Sequence, residues 1–133
     1  YCGRMIVMKK IFLFIFLFFS NDLLAYVEDG DVFFCDVERH GAIEKYKKDS
    51  IYYNQPKKFK FKVNLQSQNS GYITFNKGSY FEGKIGEFKF DNTFKRIHGK
   101  LFFGEFILKD NSFTFSSIWH DAVEYMIATC SKF

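Results

Sequence analysis

The chain has 133 residues and a formal charge of +4, from 19 basic and 15 acidic residues. This length accommodates one domain and no second one of ordinary size. The charge is too mild to favour a nucleic-acid partner, since nucleic-acid-binding domains concentrate a strong basic excess on one face. Lys, Phe, Ile, Asn and Tyr are abundant. Their codons are rich in A and T, which is typical of an AT-rich bacterial genome.

The amino-terminal part of the chain has the order of a signal peptide. Met8 is the preferred start because two lysines follow it directly, so residues 1–7 are interpreted as an upstream artefact. An apolar run over residues 11–19 precedes a polar break and Ala25, and the predicted signal peptide covers residues 8–25. A spanning helix needs roughly 20 apolar residues, which makes a retained membrane anchor the minor alternative.

Cleavage after Ala25 leaves one domain over residues 26–133, which we expect to be periplasmic or secreted. Its 16 basic and 14 acidic residues carry a net charge of only +2. Cys35 and Cys130 lie near its two ends. In an oxidising compartment these cysteines are predicted to form one disulfide around 94 residues, with two separate buried thiols as the alternative.

The exported part alternates apolar and polar residues with the period of a β-strand. Over residues 58–65 every odd position is apolar, so Phe59 and Phe61 face a core and the lysines between them face water. Similar runs recur between polar turns that contain Gly or Asn. The sequence predicts an all-β fold: a small antiparallel meander of seven to eight strands, preceded by the signal-peptide helix.

The connection between the ends of the meander decides its architecture. A disulfide from the first strand to the last would hold both sheet edges together, which favours a closed or nearly closed barrel. A two-sheet sandwich is the alternative.

Three segments need separate interpretation. Residues 41–50 are predicted to form a loop. Residues 100–109 are apolar on both faces, and Gly104 is interpreted as a bulge that keeps Phe103 in the interior. Residues 123–130 are predicted to be a strand because they are rich in β-branched and aromatic side chains.

No motif of the chain indicates catalysis. His40, His98 and His120 have no metal-ligand spacing and are interpreted as surface or loop residues. Glu82 and Glu87 lie on opposite sides of a predicted bend, so they do not form a catalytic carboxylate pair. We therefore predict no catalytic residues, no metal and no cofactor, and a protein that is not an enzyme.

The aromatic content favours a filled barrel. Of the 20 phenylalanines, 15 lie in the exported part, where large rings would occupy the interior. A cavity for a small apolar ligand is the alternative, and outward rings such as Phe34 and Phe102 would suit a protein partner. The basic–aromatic alternation of residues 57–62 is interpreted as a half-buried strand, not a nucleic-acid platform. Membrane contact is expected only through the signal segment before cleavage.

Three groups of residues follow the arrangement of a known family: Phe34-Cys35, then Ser70-Gly71-Tyr72 with Phe75 and Lys77-Gly78, and finally Ala128-Thr129-Cys130. In these residues the chain resembles the small periplasmic two-cysteine β-barrel inhibitors of C-type lysozyme. The resemblance implies that Ser70 and Lys77 contact the acidic cleft of the enzyme.

These observations predict an exported, non-enzymatic β-barrel that acts as a binding module. An inhibitor of lysozyme or of another envelope-targeting enzyme is the first alternative. A structural component of the cell envelope is the second.

Overall fold

The computed structural model describes residues 27–48, 51–52 and 58–133. Within these ranges the regular secondary structure consists of nine β-strands. The strands are β1 (Val32–Glu44), β2 (Ile51–Tyr52), β3 (Lys58–Leu65), β4 (Ser70–Phe75), β5 (Ile85–Asp91), β6 (Arg96–Leu101), β7 (Gly104–Lys109), β8 (Ser112–Trp119) and β9 (Ala122–Lys132). The predicted all-β fold is confirmed. The expected artefact over residues 1–7 and the signal peptide over residues 8–25 lie outside the described residues.

Eight of these strands close into an antiparallel barrel. They pair in the order β1-β3-β4-β5-β6-β7-β8-β9, and β9 pairs back onto β1. The closing pair runs from Phe33 opposite Lys132 to Glu44 opposite Ala122. The short β2 pairs with β1 outside this ring. The fold is therefore the predicted barrel and not the alternative sandwich.

The barrel interior is filled by aromatic rings that have glycines as neighbours. Phe88 of β5 lies between Gly71 of β4 and Gly99 of β6, and Gly99 pairs in turn with Phe106 of β7. A Cβ atom at Gly71 would lie 2.9 Å from the Phe88 ring, and one at Gly99 would lie 2.5 Å from the Phe106 ring. Because glycines lie opposite phenylalanines on neighbouring strands, the rings have enough space to fill the interior.

One end of the barrel is closed by the connection between β4 and β5. Residues 76–84, which we call the plug loop, fold inward and place Phe81 in the core with 0% exposure. The Phe81 ring centroid lies 4.8 Å from that of Phe75 and 5.0 Å from that of Phe115. The turns at residues 102–103 and 120–121 lie at the same end. We call this end of the barrel the loop end.

The bulge predicted at Gly104 is wrong. Leu101 pairs with Gly104, and Phe102 and Phe103 form the two-residue turn between β6 and β7. Phe103 is therefore 67% exposed instead of facing the interior. The sequence did not indicate this turn because hairpin turns of two residues usually contain Gly, Asn or Asp.

The loop predicted for residues 41–50 begins too early. β1 continues to Glu44, because β9 pairs with it over its whole length and β2 adds a second partner at Gly41 and Ala42. Within the described part of that segment, residues 45–48 are a turn and a bend. Pairing with β9 and β2 thus extends the strand through Gly41 and Ala42, two residues that do not favour strands.

The two ends of the barrel domain meet as predicted. The strand expected over residues 123–130 is confirmed as part of β9, and Cys130 lies directly opposite Cys35 of β1. Their sulfur atoms form a disulfide, and the two residues are separated by 95 positions in sequence. The bond joins the two strands that close the barrel.

We expect reduction of the Cys35–Cys130 disulfide to lower the free energy of unfolding by as much as about 4–5 kcal/mol, because a long ring loses much chain entropy when it is closed in the unfolded state. Urea denaturation with and without reductant measures this difference. The fold should survive, since β1 and β9 remain hydrogen-bonded. The Cys130→Ser variant should match the reduced protein and ignore reductant. Equal stability of the oxidised and reduced proteins would contradict the prediction.

Candidate functional site

At the loop end, four side chains meet around one buried carboxylate, that of Glu124. Glu124 comes from β9, His40 from β1 and Ser117 from β8, where Ser117 lies opposite Glu124. Tyr80 comes from the plug loop, and Trp119 is the last residue of β8. We call these five residues the carboxylate cluster. They join β1, the plug loop and the β8–β9 hairpin, which are far apart in the sequence.

Both oxygens of Glu124 accept hydrogen bonds. His40 Nε2 lies 2.9 Å from Oε1, and the Tyr80 hydroxyl donates to the same oxygen. Ser117 Oγ lies 3.4 Å from Oε2 and accepts in turn from Trp119 Nε1 at 3.0 Å. His40, Ser117 and Glu124 are all buried. The arrangement satisfies a carboxylate that would otherwise be costly to bury.

Glu124 is the charged centre of the cluster. Burial raises the pKa of its carboxyl group, but hydrogen bonds from Tyr80 and His40 outweigh this effect and hold the pKa below the ordinary glutamate value of 4.5. Glu124 is therefore ionised at neutral pH. Because its donors come from the plug loop and the barrel wall, the charge ties the plug loop to the wall.

A bulge in β1 brings His40 into the interior. Odd positions of β1, such as Phe33 and Cys35, face the core, but the register against β9 shifts between Val37 and Arg39. After this shift the even position His40 is buried. Its interpretation as a surface or loop residue is wrong for this reason: strict alternation from Cys35 would have placed His40 outside.

The sequence did carry a signal for Glu124. Glu124, Met126, Ala128 and Cys130 alternate along β9, and all four are buried. Once Cys130 is taken as core-facing, the same period places Glu124 inside. A charged residue on a core-facing position indicates a buried polar partner, which the sequence alone did not identify.

Beside the cluster, three aromatic residues form a contiguous exposed patch, which we call the aromatic rim. Phe102 is 51%, Phe103 67% and Trp119 48% exposed. The Phe103 ring centroid lies 5.3 Å from that of Phe102 and 5.2 Å from that of Trp119. Lys84 Nζ lies 4.1 Å from the centroid of the Phe102 ring. The rim thus combines exposed rings with a cation.

The backbone of the rim is strained. Phe102 has a φ of +64°, a left-handed conformation that bulky residues rarely adopt. Glycine or asparagine would take this conformation at lower cost. Strain of this kind persists where the rest of the structure imposes it, and it concentrates at functional sites.

The structure places Ser70 and Lys77 at opposite ends of β4. Ser70 begins the strand, and its hydroxyl lies 2.7 Å from that of Ser67. It borders a groove of about 630 Å³ with exposed side chains such as Lys89 and His98. Lys77 is exposed in the plug loop at the loop end. The two residues therefore do not form one surface, and only Lys77 lies at the same end of the barrel as the aromatic rim.

The other two histidines are exposed as expected. His98 lies on β6 with Nε2 3.2 Å from Glu105 Oε2, and His120 lies in the turn between β8 and β9. Within residues 27–48, 51–52 and 58–133, no three His, Cys, Asp or Glu residues are grouped so that they could hold a metal ion.

Comparison with known proteins gives no relative from which a function could be inferred. A scan of protein families found no match, and neither did searches of curated proteins and of solved structures. The geometry described above is therefore the basis for the function proposed below.

We expect the Glu124→Gln variant to lose about 1–3 kcal/mol of unfolding free energy at pH 7, because a charged acceptor of several hydrogen bonds is replaced by a neutral amide. The pKa of Glu124 is lower in the folded protein than in the unfolded chain, so this stabilisation exists above pH 4.5 and is lost as the pH falls through the folded pKa. Urea denaturation at pH 7 and near pH 3 measures both quantities.

The matched control is Glu87→Gln, which changes an exposed glutamate of β5. Its effect should stay within about 0.5 kcal/mol at both pH values. If Glu124→Gln loses as much unfolding free energy near pH 3 as at pH 7, the charge of Glu124 contributes nothing to stability.

Proposed function

We propose that this chain is an exported, non-catalytic binding module that binds its partner through the surface of the loop end and not through an internal cavity. The filled interior supports this proposal. Phe59, Phe61, Phe81 and Phe113 are each at most 3% exposed, and their rings contact one another. A small apolar ligand would have to displace these rings. The free energy gained by burying the ligand would then have to exceed the free-energy cost of disrupting the packed core.

The aromatic rim is the observation that carries the proposal. A contiguous exposed apolar patch is unfavourable in water unless a partner covers it. Phe102 and Phe103 occupy a turn where smaller residues would cost less, and Phe102 keeps a left-handed backbone there. A functional requirement for two rings at this position accounts for both features.

The carboxylate cluster supports a non-catalytic role. Both oxygens of Glu124 accept from internal donors, and the carboxylate and His40 are buried. A general base must reach a substrate proton within hydrogen-bond distance. We interpret the cluster as the support of the loop end: it holds Tyr80 of the plug loop and, through Ser117, the indole of Trp119.

The disulfide supports the proposed export. Bonds between cysteines persist in oxidising compartments and are rare in the bacterial cytosol. Cys35 and Cys130 are joined in the described structure, which fits a periplasmic or secreted bacterial protein.

We expect a photocrosslinking side chain at position 103 to capture the partner when the protein is produced in an export-competent bacterial host. Phe103→p-benzoylphenylalanine changes an exposed ring into a larger ring, so the fold should be retained. Mass spectrometry of the irradiated product identifies what is attached. The matched control is the same substitution at Lys89, an exposed position of β5 on the barrel wall. Equal capture at both positions, or none at position 103, would contradict the proposal.

Inhibition of a C-type lysozyme is a second candidate, favoured by the position of Lys77. The plug loop presents this exposed lysine on a rigid base: Phe81 is buried, and Gly78 N donates to Glu82 Oε2 at 2.7 Å. A positive side chain held in this way could enter an acidic cleft with little loss of conformational entropy. Ser70 would not take part, because it lies at the other end of β4.

If this candidate is correct, the chain reduces the rate at which a C-type lysozyme clears a peptidoglycan suspension. Lys77→Ala should weaken that inhibition by about tenfold or more, the usual effect of removing one partner of a buried charge pair. Lys89→Ala, a lysine of the barrel wall, is the control and should inhibit like the unchanged chain. If the chain does not inhibit the lysozyme, this second candidate is excluded. The proposed binding role of the loop end is not affected by that result.

A further inference from the structure

We propose that the partner of the aromatic rim is a lipid bilayer with anionic headgroups, into which Phe102, Phe103 and Trp119 insert. This inference rests on the proposed function, since it names the partner of the same surface. It also departs from the expectation that only the signal segment contacts a membrane. Three observations carry it: the shape of the rim, the exposed ring of Trp119 and the lysines at the same end of the barrel.

The shape of the rim is convex. Phe102 and Phe103 are the whole turn between Leu101 and Gly104, so their rings lie beyond the last paired residues of β6 and β7. Ile118, near the end of the neighbouring β8, is 80% exposed. Protruding apolar tips need no complementary pocket in a bilayer, where they reach about 5–10 Å into the boundary between headgroups and acyl chains.

Trp119 exposes an apolar ring without an unpaired N–H. Its Nε1 donates to Ser117 Oγ at 3.0 Å, so the polar edge of the indole is satisfied within the protein. The ring remains 48% exposed beside Phe103. Such an indole can enter the headgroup region, where tryptophan is enriched, without the cost of an unsatisfied donor.

Exposed lysines share the loop end with the rim. Lys84 lies over the Phe102 ring, Lys77 is exposed in the plug loop, and three more exposed lysines follow β1 at the same end: Lys45, Lys47 and Lys48. The backbone N of Lys45 donates to Asp121 O at 2.7 Å, which places this lysine segment beside the turn after Trp119.

The described residues of the loop end also include four carboxylates. Glu44 pairs with Lys47 at 2.8 Å, and Glu82 accepts from Gly78 N. Asp121 is exposed in the turn after Trp119, and Glu124 is buried and accepts from His40, Tyr80 and Ser117. Against the five lysines named above, these carboxylates leave a net charge of only +1, and one of the four is buried away from the surface. Basic residues near an anionic bilayer each contribute about 1 kcal/mol of attraction.

The test uses vesicles of phosphatidylglycerol and phosphatidylcholine, with pure phosphatidylcholine vesicles for comparison. Trp119 is the only tryptophan of the chain and lies in the rim, so its fluorescence reports on the site directly. We expect sedimentation with the anionic vesicles, a blue shift of the emission, and quenching by lipids brominated in the acyl chains. Pure phosphatidylcholine should bind more weakly, and added salt should reduce binding to the anionic vesicles.

Two variants and a control locate the binding surface. Phe103→Ser should weaken vesicle binding by about tenfold or more, because a ring of this size loses its burial. Lys84→Gln should weaken it about fivefold on anionic vesicles only. Phe94→Ser removes a phenylalanine that is 56% exposed in the turn between β5 and β6, at the opposite end of the barrel, and should leave binding unchanged. Urea denaturation checks that the variants remain folded.

The outcomes separate this inference from the proposed function. Vesicle binding without quenching of Trp119, or binding that Phe103→Ser leaves intact, overturns the inference because another part of the chain is then responsible. Absence of binding overturns it as well. If position 103 still captures a protein in the photocrosslinking experiment, the loop end is a binding surface with a protein partner. If both experiments fail, the proposed function fails with the inference.

Discussion

The pairing of β9 back onto β1 is the constraint on which the rest of the structure depends. It removes both edges of the sheet, which would otherwise present unpaired backbone groups, and it divides every strand into an inner and an outer face. It also brings Cys35 opposite Cys130, so that a covalent bond joins the closing strands. The bulge between Val37 and Arg39 lies in the same pair of strands, and it reverses the alternation of β1 to bring His40 inward.

A closed ring of eight strands encloses a narrow interior, and this chain fills it. Phenylalanines provide most of the volume, glycines on neighbouring strands make room for them, and the plug loop adds Phe81 from one end. The interior therefore stabilises the barrel, and the proposed binding surface lies outside it. At the opposite end the connections are short turns, whereas the loop end carries the plug loop and the exposed rings of the aromatic rim.

The carboxylate cluster connects the stability of the barrel with the proposed binding surface. Glu124 holds Tyr80 of the plug loop, and Ser117 links the same carboxylate to the indole of Trp119. A rim anchored to a buried charge loses little conformational freedom when it meets a partner, and less lost freedom means tighter binding for the same contact area. Removal of the charge should therefore loosen the rim as well as destabilise the fold.

Most of the β-strands, the core face of most of them and the disulfide between Cys35 and Cys130 were predictable from the sequence, because period-2 alternation and polar turn residues are local signals. The positions of His40, Phe81 and Phe103 became apparent only in the folded barrel. His40 depends on a bulge set by pairing with β9, Phe81 on a loop that folds back into the barrel, and Phe103 on a turn without turn-forming residues. The positions of His40 and Phe81 result from contacts between segments distant in sequence, which no local pattern records. The turn at Phe103 is local, but it lacks the residues that usually mark a two-residue turn.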